Sequence, residues 1–114
     1  MLRSAAFLMS TWHPVIGSAD LADGHIRTVH ISGKTMLLVR VGGQLYAATN
    51  LCPHAGSPLN LGKLIGRTIR CPLHGFRFDL ETGGCLGPAP CGPLETYETV
   101  ERDEIVFLRL PAAG

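Results

Sequence analysis

Apolar residues in this chain come in short runs broken by glycine and proline, the pattern of an all-β domain. Trp12 to Ile16 is predicted to open the sheet. His25 to Ile31 follows the turn-like Ala22-Asp23-Gly24, and Thr35 to Val41 is rich in residues that favour strands. At Val41-Gly42-Gly43-Gln44, two glycines free to take positive φ lead straight into Leu45-Tyr46-Ala47-Ala48, which predicts a two-residue hairpin. Further strands are predicted over Thr68 to Arg70, Phe76 to Asp79, Leu94 to Val100 and Glu104 to Leu110, the last two joined as a hairpin around Glu101-Arg102-Asp103. No segment holds a helical period over three turns, and none repeats another.

Composition narrows this picture. A chain of 114 residues that is 46% apolar has room for one domain with one modest core, and a second catalytic domain does not fit. Ten basic and nine acidic residues leave a formal charge of +1, so no strong field draws nucleic acid or an anionic membrane. The opening Met1-Leu2-Arg3-Ser4-Ala5-Ala6-Phe7-Leu8-Met9 has too short an apolar stretch for a signal peptide, and nothing approaches the length of a membrane span. Residues 1 to 10 are expected to be a disordered lead-in, with Met9 as an alternative start. Residues 11 to 114 are expected to form a single domain that works in the cytoplasm.

Candidate chemistry lies in two short motifs, Cys52-Pro53-His54 and Cys71-Pro72-Leu73-His74. Each supplies one thiolate and one imidazole, which suits a binuclear centre whose two metals need different ligands. Replacing two of four thiolates by imidazoles removes negative charge from a 2Fe-2S cluster and raises its potential. Both ligand pairs fall on predicted loops, where backbone amides can turn inward. Gly56, Gly62, Gly75 and Gly87 are candidates for close approach or sharp turns, and Pro53, Pro72, Pro88 and Pro90 for stiffening. The other two cysteines, Cys85 and Cys91, read as quiet, partly buried thiols able to pair under oxidation. His13, His25 and His30 lack partner spacing and read as surface or strand residues. Trp12 reads as a core or edge anchor rather than an electron relay, and Arg70 and Arg77, which flank the second loop, as solvated strand ends, with help in docking as the alternative.

The resemblance is to the Rieske family. It rests on Cys52-Pro53-His54-Ala55-Gly56-Ser57-Pro58-Leu59, on Cys71-Pro72-Leu73-His74-Gly75-Phe76-Arg77-Phe78-Asp79, and on Thr82-Gly83-Gly84 with the Gly87-Pro88-Ala89-Pro90 loop. The chain resembles the small Rieske-type ferredoxins that serve bacterial ring-hydroxylating oxygenases, over roughly Trp12 to Leu110. The resemblance implies an antiparallel β-sandwich with an inserted cluster-binding subdomain over about residues 50 to 92. It also implies one [2Fe-2S] cluster per chain, with Cys52 and Cys71 on one iron and His54 and His74 on the other through their Nδ1 atoms. The proline-containing loop would cover the cluster.

What the resemblance implies for function is a monomeric one-electron carrier without a catalytic residue of its own. It would run from an NAD(P)H-dependent flavin reductase to a terminal oxygenase, with the outer ring nitrogens of His54 and His74 presented to the partner. High-potential members carry a disulfide between the ligand loops and hydroxyl donors in the second loop. Here Ser57 and Leu73 stand at the cysteine places, and Phe76 and Phe78 at the hydroxyl places. Neither that disulfide nor those second-loop hydroxyl bonds are therefore expected, and the potential is expected in the lower part of the Rieske range, at about −150 mV. Many ferredoxins of this class are acidic, and this chain departs from them in its balanced charge. Alternatives are the Rieske-like small subunit of an assimilatory nitrite reductase, whose members often lack cluster ligands, and a zinc-stabilised interaction domain. An oxygenase component would need a further mononuclear iron site on a larger domain.

Overall fold

Strand β3 (Lys34–Val41) explains the architecture best, because four consecutive residues in it, Met36 to Val39, are completely buried. Side chains alternate across a strand, so such a run needs cover on both faces. Leu37 and Val39 enter a core shared with Cys52, Leu59, Ile69, Cys71, Phe76, Phe78, Leu80 and Leu94. Met36 and Leu38 enter a second core with Leu21, Ala47 and Leu108. Each side chain so buried contributes about 1.5–3 kcal/mol relative to exposure.

The computed structural model describes residues 12–54 and 56–110. The expected lead-in over residues 1 to 10 lies outside the described residues. Among the described residues, eleven strands form three antiparallel sheets, with two single-turn 3-10 segments, Ser18–Asp20 and Leu59–Leu61. The central sheet has the order β2 (Ile26–Ile31), β3, β4 (Gln44–Thr49) and β9 (Thr96–Tyr97). One outer sheet has the order β1 (Trp12–Gly17), β11 (Ile105–Arg109) and β10 (Thr99–Arg102), and its Leu108 closes the second core. The other consists of β5 (Lys63–Ile65), β6 (Thr68–Arg70), β7 (Arg77–Asp79) and β8 (Cys85–Gly87), in that order. It falls between β4 and β9 in the chain and supplies Ile69 and Phe78 to the first core. The all-β fold expected from the sequence is the one observed.

Turn chemistry sets the registers. Gly42 and Gly43 both have positive φ, 57° and 82°, so Val41 pairs with Gln44 through a two-residue turn of the kind that matches strand twist. Two hairpins manage this turn with less help from glycine. Ser32-Gly33 joins β2 to β3, and Asp103-Glu104 joins β10 to β11 with φ of 52° and 62°. The last turn therefore lies beyond the expected Glu101-Arg102-Asp103 centre. Arg40 ties two sheets together: its Nε donates to the Leu21 carbonyl at 2.8 Å, and its two terminal nitrogens donate to the Glu101 carboxylate at 3.0 and 2.7 Å.

Three expectations need correcting. Leu94 to Val100 is not one strand: Thr96 and Tyr97 pair with β4, whereas Thr99 onward pairs with β11, so the chain changes sheets at Glu98. β5 and β8 were not anticipated, because three residues hold too little pattern to register as strands. Cys85 and Cys91 are joined in a disulfide and are not quiet thiols. The Gly87-to-Pro90 loop doubles back and brings their Cα atoms to 5.8 Å, within the usual range for a disulfide.

Candidate metal centre

Two loops at one end of the molecule meet over the first core. The first leaves β4 at Asn50, which is almost fully buried, and is closed at its base by a reciprocal pair of amide contacts. Asn50 Nδ2 donates to Asn60 Oδ1 at 2.7 Å, and the Asn60 backbone N–H donates to Asn50 Oδ1 at 2.8 Å. Within this loop the Cys52 N–H donates to the Ser57 carbonyl and the Gly56 N–H to the Cys52 carbonyl, at 2.8 and 2.7 Å. Both amides are thus satisfied while the chain turns tightly.

The second loop is the connection from β6 to β7. Its ends are drawn together where the Cys71 N–H donates to the Phe76 carbonyl at 2.7 Å. The reversal is made by His74 and Gly75 in succession, with φ of 63° and 66°. Gly75 adopts this region freely, but His74 does so at a cost of about 1–3 kcal/mol, which the surrounding loop must offset. The left-handed conformation turns the His74 side chain away from the core that holds Cys71.

The four side chains singled out in the sequence divide into two pairs. Cys52 and Cys71 are free thiols, 2% and 1% exposed, within hydrogen-bonding reach of each other in the first core. His54 and His74 are exposed, their ring centroids 5.7 Å apart and their planes at 78°. Burial pushes the Cys71 thiol up from its ordinary value, and the neighbouring Cys52 adds to this. The Leu73 N–H and the Ser57 hydroxyl work in the opposite sense, because both donate to the sulfur. A buried thiol held neutral in this way becomes a thiolate readily when a metal takes the proton's place.

Among the described residues, no three His, Cys, Asp or Glu side chains converge on one point. Sulfur beside sulfur and nitrogen beside nitrogen suits two metals with different ligands. The Rieske type of cluster fits this donor set.

Several site features escaped the sequence reading. Phe76, itself buried, stacks on His54 with centroids 3.8 Å apart and planes at 18°, linking the two loops. The Asn50–Asn60 pair carries no sequence signature. Phe76 and Phe78 are core residues with no hydroxyl to offer from the second loop, and the Ser57 hydroxyl acts on the Cys71 thiol from the first. His13, His25 and His30 stay outside the site, and His30 Nδ1 instead contacts Thr35 Oγ1 at 3.0 Å. The Cys85–Cys91 disulfide closes the 87-to-90 loop on itself and leaves Cys52 and Cys71 free.

Comparison with known proteins agrees with this geometry. The Rieske [2Fe-2S] domain model matches residues 11–98. The ferredoxin component of the naphthalene 1,2-dioxygenase/salicylate 5-hydroxylase systems of Ralstonia sp. is 43% identical over 95 residues, covering 80% of this chain and 88% of that protein. The corresponding naphthalene 1,2-dioxygenase component of Pseudomonas putida is 39% identical over 83 residues, covering 73% and 76%. Among solved structures, the ferredoxin of carbazole 1,9a-dioxygenase from Nocardioides aromaticivorans IC177 superposes with a TM-score of 0.82 at 30% identity, covering 88% of this chain and 98% of that one. A chain from the complex of reduced oxygenase and oxidized ferredoxin in carbazole 1,9a-dioxygenase gives 0.81 at 32% identity, covering 88% and 94%.

Proposed function

Because the chain belongs to the Rieske [2Fe-2S] domain family, we propose that it is a one-electron carrier that takes electrons from an NAD(P)H-dependent flavin reductase and delivers them to a terminal, aromatic-ring-hydroxylating oxygenase. It holds one cluster per chain, with Cys52 and Cys71 as ligands of one iron and His54 and His74 as ligands of the other. The observation that carries this reading is the division of the site, with two buried thiols side by side and two exposed imidazoles next to each other, edge to face. When bound, the cluster supplies a reversible one-electron couple at a potential above that of all-cysteine clusters.

The residues of this chain set the conditions for that couple. Phe76, Phe78 and Leu80 surround the thiols and keep water from them. The Leu73 N–H and the Ser57 hydroxyl supply donors to sulfur, which favour the more negative state. Phe76 orients the His54 ring, and the exposed edges of both imidazoles offer a short path to a partner. With no hydroxyl donor in the second loop, the potential lies in the lower part of the Rieske range, near its floor of about −150 mV.

Relatives named as ferredoxin components of dioxygenase systems support the choice of partner class. Residues of about 50 to 92 are taken as the cluster-binding unit and the protein as a monomer. Electron supply from a reduced nicotinamide supports a cytoplasmic location. No helix among the described residues is long and apolar enough to cross a membrane. The test is reconstitution with a flavin reductase and a naphthalene-dioxygenase-type oxygenase. Hydroxylated product is expected to rise in proportion to added carrier, and product formation equal without it would overturn the proposal.

A further inference from the structure

Three cations stand side by side across the third sheet at its end nearest the ligand loops. Lys63 on β5 pairs in register with Arg70 on β6, and Arg70 pairs with Arg77 on β7. Directly opposite residues of an antiparallel pair project from the same face, so the three side chains form one row, and all three are exposed. Like charges so placed repel one another, and fold stability gives no reason to gather them. None of the three has a carboxylate partner among the described residues. The acidic residues of this part of the chain, Asp79 and Glu81, are both held by Arg67, beside the turn between β5 and β6.

The row is continuous with the candidate centre. Arg70 precedes Cys71, and its guanidinium lies so close to Gly75 that a Cβ there would sit 3.0 Å from Nη2. Arg77 follows Phe76, pairs with Gly87, and donates to the Leu86 carbonyl at 3.2 Å. Lys63, Arg70, Cys71, Pro72 and Gly75 line a cleft of about 260 Å³ together with the exposed Leu61. A formal charge of only +1 gives the molecule little long-range attraction of either sign, so this row stands out as a local concentration of positive charge beside the second ligand loop.

We propose that the Lys63–Arg70–Arg77 row is a docking site for the carboxylates of an acidic surface on the protein redox partner, holding that surface beside His74. Charge complementarity identifies the occupant: an apolar partner would leave three cations desolvated, and a basic one would be repelled. The inference rests on the carrier reading and gives it an orientation, with the partner approaching from the β5–β7 side of the loops. It takes Arg70 and Arg77 from the solvated role to the docking alternative that the sequence allowed, and adds Lys63 to them.

The test has two arms. Calorimetric titration of the purified holo-protein with poly-L-glutamate is expected to show binding that weakens at least tenfold in the K63Q/R70Q/R77Q variant. Arg109→Gln, which removes one unit charge from the other outer sheet, should change it less than twofold. In stopped flow at low ionic strength, reoxidation of the reduced protein by ferricyanide is expected to slow about tenfold in the triple variant, to converge with wild type at high salt, and to be inhibited by poly-L-glutamate only in wild type. Wild-type ferricyanide kinetics in a triple variant with unchanged potential and Rieske spectrum would overturn the proposal, as would anion attraction without poly-L-glutamate inhibition. Calorimetry does not depend on the cluster. Poly-L-glutamate binding by protein without a Rieske spectrum would therefore count against the carrier reading and for the row as an acidic-surface site.

Discussion

Replacing Phe76 by leucine isolates the contact that joins the two ligand loops. Phe76 is 6% exposed and lies flat on His54, so the substitution removes a ring–ring contact while keeping an apolar side chain in the first core. A stacked pair contributes about 0.5–1.5 kcal/mol beyond its buried area, and the central value of about 1 kcal/mol corresponds to about fivefold in a rate or equilibrium. Loosening His54 by that amount should speed cluster loss about fivefold. The assay is bleaching of the visible absorbance of the oxidised protein under excess chelator. Phe78→Leu is the matched control, because Phe78 is fully buried in the same core. Both variants should lose about 1 kcal/mol of folding stability. Only Phe76→Leu should release the cluster faster. Equal acceleration in the two variants would refute the stacking argument and assign the effect to general loss of packing.

The Arg40–Glu101 pair makes a prediction about pH. Its two hydrogen bonds hold the Glu101 carboxyl down at about 2 against an ordinary 4.5, so its stabilisation is complete above pH 4.5 and is lost as pH falls toward 2. With Glu101 about a third exposed, the shift is discounted for solvent screening to about 1–2 kcal/mol. A double-mutant cycle with Arg40→Gln and Glu101→Gln should return that coupling equally at pH 7 and pH 5, and a fall between those values would contradict it. For the disulfide, the six-residue separation of Cys85 and Cys91 limits its contribution to about 2 kcal/mol through loop closure. Reduction or Cys91→Ser should lower the unfolding midpoint accordingly, and an unchanged midpoint would show that the loop is held by its other contacts.

The sequence was most readable where one residue decides one conformation. Gly42-Gly43 sets a hairpin register by itself, and the cysteine and histidine spacings of the two ligand motifs announce their chemistry without a fold. Strand β3 was equally plain, since an unbroken apolar run from Met36 to Val39 has few other uses. Legibility failed where the determinant lies elsewhere in the chain. Glu98 looks like any strand residue, and only the competing edges of β4 and β11 make the chain change sheets there. The Asn50–Asn60 pair and the Phe76–His54 stack depend on how two loops meet, so neither residue carries a local sign. The basic row is similar: Lys63, Arg70 and Arg77 are far from consecutive, and the register of three short strands makes them neighbours.

The central claim is that two thiolates and two imidazoles hold one binuclear iron cluster, and pulsed EPR of the reduced protein tests it most directly. A rhombic Rieske signal with hyperfine coupling to two distinct nitrogens is expected, together with two irons per chain. A preparation that carries stoichiometric metal and gives no such signal, or gives one without nitrogen coupling, would contradict the assignment of Cys52, His54, Cys71 and His74.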